Sequence, residues 1–301
     1  MSATARTRAN LLLLLAAFIW GMAFTAQKVA NAVMGPISFT AVRFAMGATV
    51  LLLVVALRDR KAGLTSNERR ARTRAVIVPG VVCGALLALA VNIQQVALDF
   101  TSVGNAAFIT GLYLVFVPLL GLFTGGKVLP LTVIGIALAV AGSYLIAVRA
   151  DFTIGLGDII VVGAALAFAV QILVVDRVGP HLDPVRFSVA QFYGCAVYST
   201  IAALLLDERP FTGLLDGWLP LAYGGLLSVG VAYTIQVIAQ RDALASHAAL
   251  IMSMEAVFGA VGGWLLLHER LGSRGLIGAA LMLAGLVVSQ FGQLKRPTPA
   301  D

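Results

Sequence analysis

The stretch QQVALDFTSVGNAAFITGLYLVFVPLLG at residues 94–121 returns, degraded, at residues 236–263 as QVIAQRDALASHAALIMSMEAVFGAVGG. The alignment pairs Gln94 with Gln236, Ala106-Ala107 with Ala248-Ala249, Ile109 with Ile251, Phe116 with Phe258 and Gly121 with Gly263. One residue further out of step, Ile134-Gly135 meets Ile277-Gly278 and Ala141-Gly142 meets Ala284-Gly285. Towards the N-terminus, Pro36, Phe39 and Phe44 meet Pro184, Phe187 and Phe192. Alanine and leucine matches carry little in so apolar a chain, whereas the Pro, Phe, Gln and Gly matches carry weight. A duplicated apolar unit with room for a site between its halves is the plan of many secondary transporters.

Composition agrees with that plan. The 301 residues are 60% hydrophobic and 12% charged, with mean hydropathy +0.96. A soluble domain is about a quarter charged, so the chain reads as an all-α, multi-pass membrane protein. The first apolar stretch, residues 11–33, is too long for the apolar core of a cleavable signal and has no small-residue cleavage site after it. Cys83 and Cys195 both sit in apolar stretches and read as buried small hydrophobes.

Apolar stretches of about 20 residues, the length that crosses a bilayer, fall near 11–33, 37–57, 75–98, 101–124 and 128–148. They resume near 157–177, 185–206, 217–240, 244–267 and 274–294. The breaks carry turn residues: Gly35-Pro36, Gly125-Gly126, Gly179-Pro180 and Leu271-Gly272. The expected architecture is therefore ten transmembrane helices in two five-helix units, residues 11–148 and 157–294. With the N-terminus in the cytoplasm, the basic run from Arg58 to Arg74 is cytoplasmic, with Lys127, Arg177, Arg186, Arg241, Lys295 and Arg296. Arg149, Arg209, Arg270 and Arg274 fall outside. That asymmetry predicts both termini inside. Two units of odd helix number must enter the membrane from opposite sides, so the repeats are expected to be inverted about an axis in the membrane plane.

Pro36-x-x-Phe39-x-x-x-Arg43-Phe44 resembles the signature of EamA-type domains of the drug/metabolite transporter superfamily, as does Ala17-x-x-Trp20-Gly21 before it. Glu255-Ala256-Val257-Phe258, Leu267-x-Glu269-x-Leu271 and the Gly278/Gly285 spacing look like a second copy. The resemblance covers nearly the whole chain. It implies cytoplasmic termini in a bacterial inner membrane and transport, often outward, of small metabolites including amino acids and their derivatives. It also implies a central cavity lined by helices one, three, four, six, eight and nine. The copies differ where chemistry matters: Tyr113 stands opposite Glu255, and Arg43 opposite Gln191.

Glu255 is the one carboxylate well inside a span. An ionised acid there costs a few kcal/mol, so it takes up a proton, finds a partner or faces water. It is the candidate coupling site for proton exchange, or the counter-charge for a substrate amine. Arg43, about 10 Å inside helix two at 1.5 Å per residue, has two readings: a bidentate partner for a substrate carboxylate, or a structural cation that snorkels or bonds backbone carbonyls. Because the position belongs to a signature shared across substrates, the structural role is the expected one. Lys28 reads as a snorkelling anchor.

Trp20, Tyr113, Phe168 and Tyr233 are candidate substrate walls, and Gln94 and Gln236 candidate polar contacts; packing and interhelical hydrogen bonds are the competing explanations. Asn92, Gln95, Gln171 and Gln240 are further polar residues in apolar spans. The glycines at 135, 142, 278 and 285 lie two turns apart on one face each of helices five and ten, a packing face or the contact of a homodimer. Gly155-Leu156-Gly157-Asp158 matches an intramembrane aspartyl protease motif, but no second mid-span aspartate accompanies it to share a proton. His181, His247 and His268 are scattered without metal-ligand spacing, and no Walker A sequence occurs.

These features describe a secondary transporter, expected to export a small polar or amphipathic metabolite by alternating access and to exchange protons at Glu255. It is not expected to be an enzyme or to need a cofactor or metal, and its partners would be substrate and membrane lipid, not nucleic acid. A phosphorylated-sugar or lipid-linked carrier is the alternative transporter reading, disfavoured by the single buried arginine. A non-transporting membrane enzyme or scaffold is the alternative outside transport.

Overall fold

Lipid offers a backbone no hydrogen-bond partners, so an apolar chain of this length must satisfy its amides within helices. The computed structural model describes residues 3–101, 103–123, 125, 128–147, 155–243, 245–267 and 272–294, and these are helical with short connections. Gly126, Lys127, Arg149, His268, Glu269, Arg270, Leu271, Lys295 and Arg296, all used in the sequence reading, lie outside the described residues.

The helices run α1 (Ala3–Asn31), α2 (Pro36–Lys61), α3 (Ser66–Ala97), α4 (Val103–Phe123), α5 (Pro130–Ala147), α6 (Leu156–Val178), α7 (Pro184–Leu206) and α8 (Trp218–Ala239). They close with α9, in two segments (Ala245–Met252 and Glu255–Leu267), and α10 (Ser273–Leu294). Local sequence sets the starts. Pro36 and Pro184 stand in the first turns of α2 and α7, where a missing N–H is harmless. Thr65 and Glu68 form a reciprocal capping box on α3, and the Asp183 side chain caps Arg186 N at 2.9 Å.

Among the described residues, eight helices are long and apolar enough to cross a membrane. Residues Pro130–Leu145 of α5 and Ser273–Ser289 of α10 are shorter apolar stretches. The chain is a multi-pass, all-helical membrane protein.

Repeat-equivalent helices run antiparallel. In the α2–α7 pair, Ser38 Oγ donates to Asp207 at 2.6 Å, Thr49 Oγ1 lies 3.0 Å from the Tyr193 hydroxyl, and Arg58 pairs with Asp183 at 2.5 Å. Asp59 and Arg186 form a buried ion pair beside them. Phe44 and its equivalent Phe192 meet ring to ring at 5.9 Å. In the α5–α10 pair, Gly135 faces Gly285 and Gly142 faces Gly278, so closely that a Cβ on Gly142 would sit 2.4 Å from the Gly278 carbonyl oxygen.

The other contacts come in pairs too: α1 packs on α8 and α9 as α6 packs on α3 and α4, and α3 packs on α7 as α8 packs on α2. The halves are thus related by an approximate two-fold axis across the helices. The glycine faces of α5 and α10 are consumed within the chain, leaving only their opposite faces to a second copy.

Candidate functional site

Helices α4 and α9 cross the axis, and both are broken at equivalent positions. In α4 the main chain tightens at residues 111–112, where Leu112 N bonds Ile109 O at 3.1 Å and Leu114 N bonds Gly111 O at 3.0 Å. In α9 it does the same at residues 253–254, with Met254 N to Ile251 O and Ala256 N to Ser253 O, both 3.1 Å. The first residues after the two breaks are Tyr113 and Glu255. They occupy one position in the two copies, and here they touch: the Tyr113 hydroxyl donates to Glu255 Oε1 at 3.2 Å. Broken helices at the junction of repeats are where transporters place substrate and ion sites.

A third irregularity lies beside them. Residues Tyr223–Tyr233 of α8 form a π-helical stretch, whose wider turn lets the Ser228 carbonyl accept the Trp20 indole N–H at 3.3 Å. Trp20 lies against Tyr233 with centroids 4.7 Å apart, and Tyr233 meets Phe44 at 5.7 Å and Phe192 at 6.1 Å.

These elements enclose a cavity on the axis. Trp20, Arg43, Gln94, Tyr113, Phe168, Tyr233, Gln236 and Glu255, the residues singled out from sequence, all line it. The lining also includes Gln27, Thr110, Gln171 and Ser228, and apolar Phe24, Ile172 and Met252. Of these only Gln171 was among the polar residues noted in the sequence. The signal for Gln27 was present: it follows Trp20 by seven residues, two helical turns. The space open to the centre of a water molecule is about 40 Å³, room for a few waters.

Its polar lining is incompletely matched. Gln94 Nε2 donates to Thr110 Oγ1 at 3.0 Å and Gln171 Nε2 to Gln191 Oε1 at 3.2 Å. Gln27 Oε1, Arg43 Nε, Gln171 Oε1 and Gln236 Oε1 are buried with no hydrogen-bond partner. Buried polar atoms are normally paired; unmatched ones also occur outside the cavity, among them Asn92 Oδ1, Gln95 Oε1 and Gln240 Oε1.

Other expectations fall elsewhere. Asn92 bonds Ser199 Oγ, Gln95 bonds Asn31 and the Gln27 carbonyl, and Gln240 bonds the Ile172 carbonyl, all holding helices together. Lys28 does not snorkel freely; its ammonium donates to the Leu98 carbonyl. Arg43 neither snorkels nor bonds a backbone carbonyl: it is 2% exposed, its guanidinium between the Phe39 and Phe44 rings. Asp158 accepts from Gly155 N at 2.9 Å and Thr101 Oγ1 at 2.5 Å, a capping role that accounts for the protease-like motif. His247 lies 3.2 Å from Ser289 Oγ, and Cys83 and Cys195 are free and buried. No cluster of three or more metal-ligating side chains occurs among the described residues.

Towards the end where α1 begins, a larger cavity of about 760 Å³ opens between α4, α6 and the start of α9, past Leu173, Gly121 and Asp176. Its lining residues Val170 and Leu173 flank Ile172, which lines the central cavity.

Comparison with known proteins agrees with this arrangement. A protein of Archaeoglobus fulgidus named "Uncharacterized transporter" is 28% identical over 284 residues, covering 94% of this chain and 86% of its own. "Uncharacterized transporter YoaV" of Bacillus subtilis is 21% identical over 280 residues, covering 91% of this chain and 93% of its own. A solved structure titled only "Crystal structure of protein" superposes with a TM-score of 0.78 at 18% identity, covering 96% of this chain and 99% of that one, and so shares the fold. The profile of the EamA-like transporter family matches twice, over residues 7–148 and 155–290, and the chain belongs to that family.

Proposed function

We propose that the protein is a secondary transporter exporting small polar or amphipathic metabolites, amino acids or their derivatives, by alternating access at the axial cavity. In this reading all ten helices cross the cell membrane with both termini in the cytoplasm, and residues 11–148 and 157–294 act as the two moving units. The observation that carries it is the set of unmatched polar atoms, Gln27 Oε1, Arg43 Nε, Gln171 Oε1 and Gln236 Oε1, in a cavity where two broken helices meet. Trp20, Phe168 and Tyr233 provide aromatic walls for the body of the substrate, while Gln94, Tyr113, Gln236 and Glu255 meet its polar groups. The chain performs no chemistry on its cargo. Lipid surrounds it, and any homodimer uses the outer faces of α5 and α10.

Glu255 is the coupling residue. It is 4% exposed, and Tyr113 is its one side-chain hydrogen-bond partner among the described residues. A buried carboxylate alternating between a proton and a partner links proton movement to substrate release. Glu255→Gln keeps the shape and removes the titration. In proteoliposomes it should abolish uptake driven by a pH gradient while leaving substrate counterflow. A mutant that responds fully to the gradient would remove Glu255 from the coupling role.

A further inference from the structure

Arg43 is among the largest fully buried side chains of the protein, and among the described residues its charge has no counter-ion. The ion pairs found among the described residues are Arg58–Asp183 and Arg186–Asp59; Glu255 lines the same cavity but does not pair with Arg43. No hydrogen bond reaches the guanidinium among the described residues, and its Nε is buried without a partner. What it touches is aromatic: its central carbon lies 5.1 Å from the Phe39 ring centroid and 5.3 Å from that of Phe44. The neighbouring π-helical stretch makes room for it, since a Cβ on Gly224 would come within 3.3 Å of Arg43 Cδ and 3.1 Å of Phe39 Cζ.

Ring faces attract the cation, but accept none of its five in-plane N–H donors. A buried charge is costly unless paired and hydrogen-bonded. A structural arginine in this position would carry a carboxylate or backbone carbonyls on that edge, and this one carries neither. Arg43 lines the cavity instead. Beside the Glu255 carboxyl, the cavity lining contains no lysine and no second arginine, so Arg43 can match one negative charge and not a phosphate dianion. The planar fork fits the two oxygens of a carboxylate better than it fits a spherical ion.

We infer that Arg43 receives the carboxylate of the transported solute, making the cavity selective for monocarboxylates, whether free acids or the acid end of a zwitterion, with the apolar body lying on Trp20, Phe168 and Tyr233. The sequence alone favoured a structural arginine; the absent counter-ion reverses that expectation. The inference rests on the transport reading, but its test does not depend on transport.

The purified full-length protein is melted without ligand, as wild type, Arg43→Met and Arg43→Lys. Removing an unpaired buried charge should leave the Arg43→Met melting temperature at or above that of wild type. A fall of several degrees, or failure of that variant to accumulate, would mean the guanidinium holds the bundle together and would overturn the inference. Binding is then measured for phenylacetate, L-phenylalanine, their amides and sodium chloride. Wild type should prefer each acid to its amide, and Arg43→Lys should weaken the acids by on the order of tenfold while sparing the amides, as loss of a charge-assisted bidentate bond implies. Equal weakening of acids and amides, chloride binding alone, or no acid binding would each overturn it. A protein that binds acids through Arg43 yet moves none across vesicles would fail the transport reading alone.

Discussion

Glu255 and Tyr113 descend from one position of the duplicated unit, and the fold brings them face to face at 3.2 Å. One copy contributes the carboxyl and the other its donor, so the unequal chemistry of the halves is concentrated on the axis. Tyr113→Phe deletes that donor without changing volume. It should lower stability by about 1–3 kcal/mol, the cost of leaving a buried acceptor unpaired, and change the pH dependence of transport. Thermal melting and a pH series of gradient-driven uptake would check both. An unchanged pH profile would separate Tyr113 from coupling. At this scale the sequence announced which residues were unusual but not where they sit: Asn92, Gln95 and Gln240 looked like Gln94 and Gln236, but only the last two line the cavity.

Among the elements, the breaks in α4 and α9 share one hydrogen-bond pattern displaced by the repeat, so they belong to the duplicated unit and not to chance strain. No proline marks either break point; Pro118 lies further along α4. Packing against the opposite repeat decided what the local sequence left open. The α5–α10 contact can be tested with glycines that differ only in surroundings. A Cβ at Gly142 would meet the Gly278 carbonyl oxygen at 2.4 Å and Met282 Cγ at 2.7 Å, whereas Gly163 on α6 has nothing within 4 Å. Gly142→Ala should destabilise by about 1–3 kcal/mol as an overpacked contact. Gly163→Ala should be neutral or stabilise by up to about 1 kcal/mol through helix propensity. Melting curves that ranked the two the other way would remove α5–α10 packing from the account of stability.

The whole molecule is symmetric in connectivity and asymmetric in opening. Helices α1 and α9 are shut together: Phe18 meets Phe258 at 5.3 Å, and a Cβ on Gly21 would lie 2.6 Å from the Glu255 carbonyl oxygen. The equivalent pair, α6 and α4, instead borders the cavity of about 760 Å³. On the proposed alternating-access reading, exchanging the roles of the repeats would generate the opposite state. Lys28 and Asp99 then correspond to Asp176 and Arg241. Today Asp99 accepts from Asn31 at 2.9 Å, while Arg241 holds the carbonyls of Pro180 at 3.1 Å and Leu182 at 2.8 Å, about one turn beyond Asp176. Cysteines at 28 and 99 should therefore cross-link most readily in the state described, and cysteines at 176 and 241 in the alternate one. If no condition favoured the second pair over the first, alternation by repeat exchange would fail. Orientation is checked separately: a cytoplasm-active reporter should work after residue 66 and after residue 296 and be silent after residue 212.

The sequence by itself determined the class, the helices and the duplication, because lipid imposes apolar helices and because repeated Pro, Phe, Gln and Gly positions survive divergence. It also contained the residues of the cavity, since polar and aromatic side chains are conspicuous against so apolar a background. Tertiary structure alone decided which of them meet. The antiparallel seating of equivalent helices places Tyr113 on Glu255, seals the glycine faces of α5 and α10 against each other, and leaves Arg43 buried with no anion among the described residues. Such pairings join residues far apart in the chain, such as Tyr113 and Glu255, and local sequence does not encode which partner a buried polar group will find or lack.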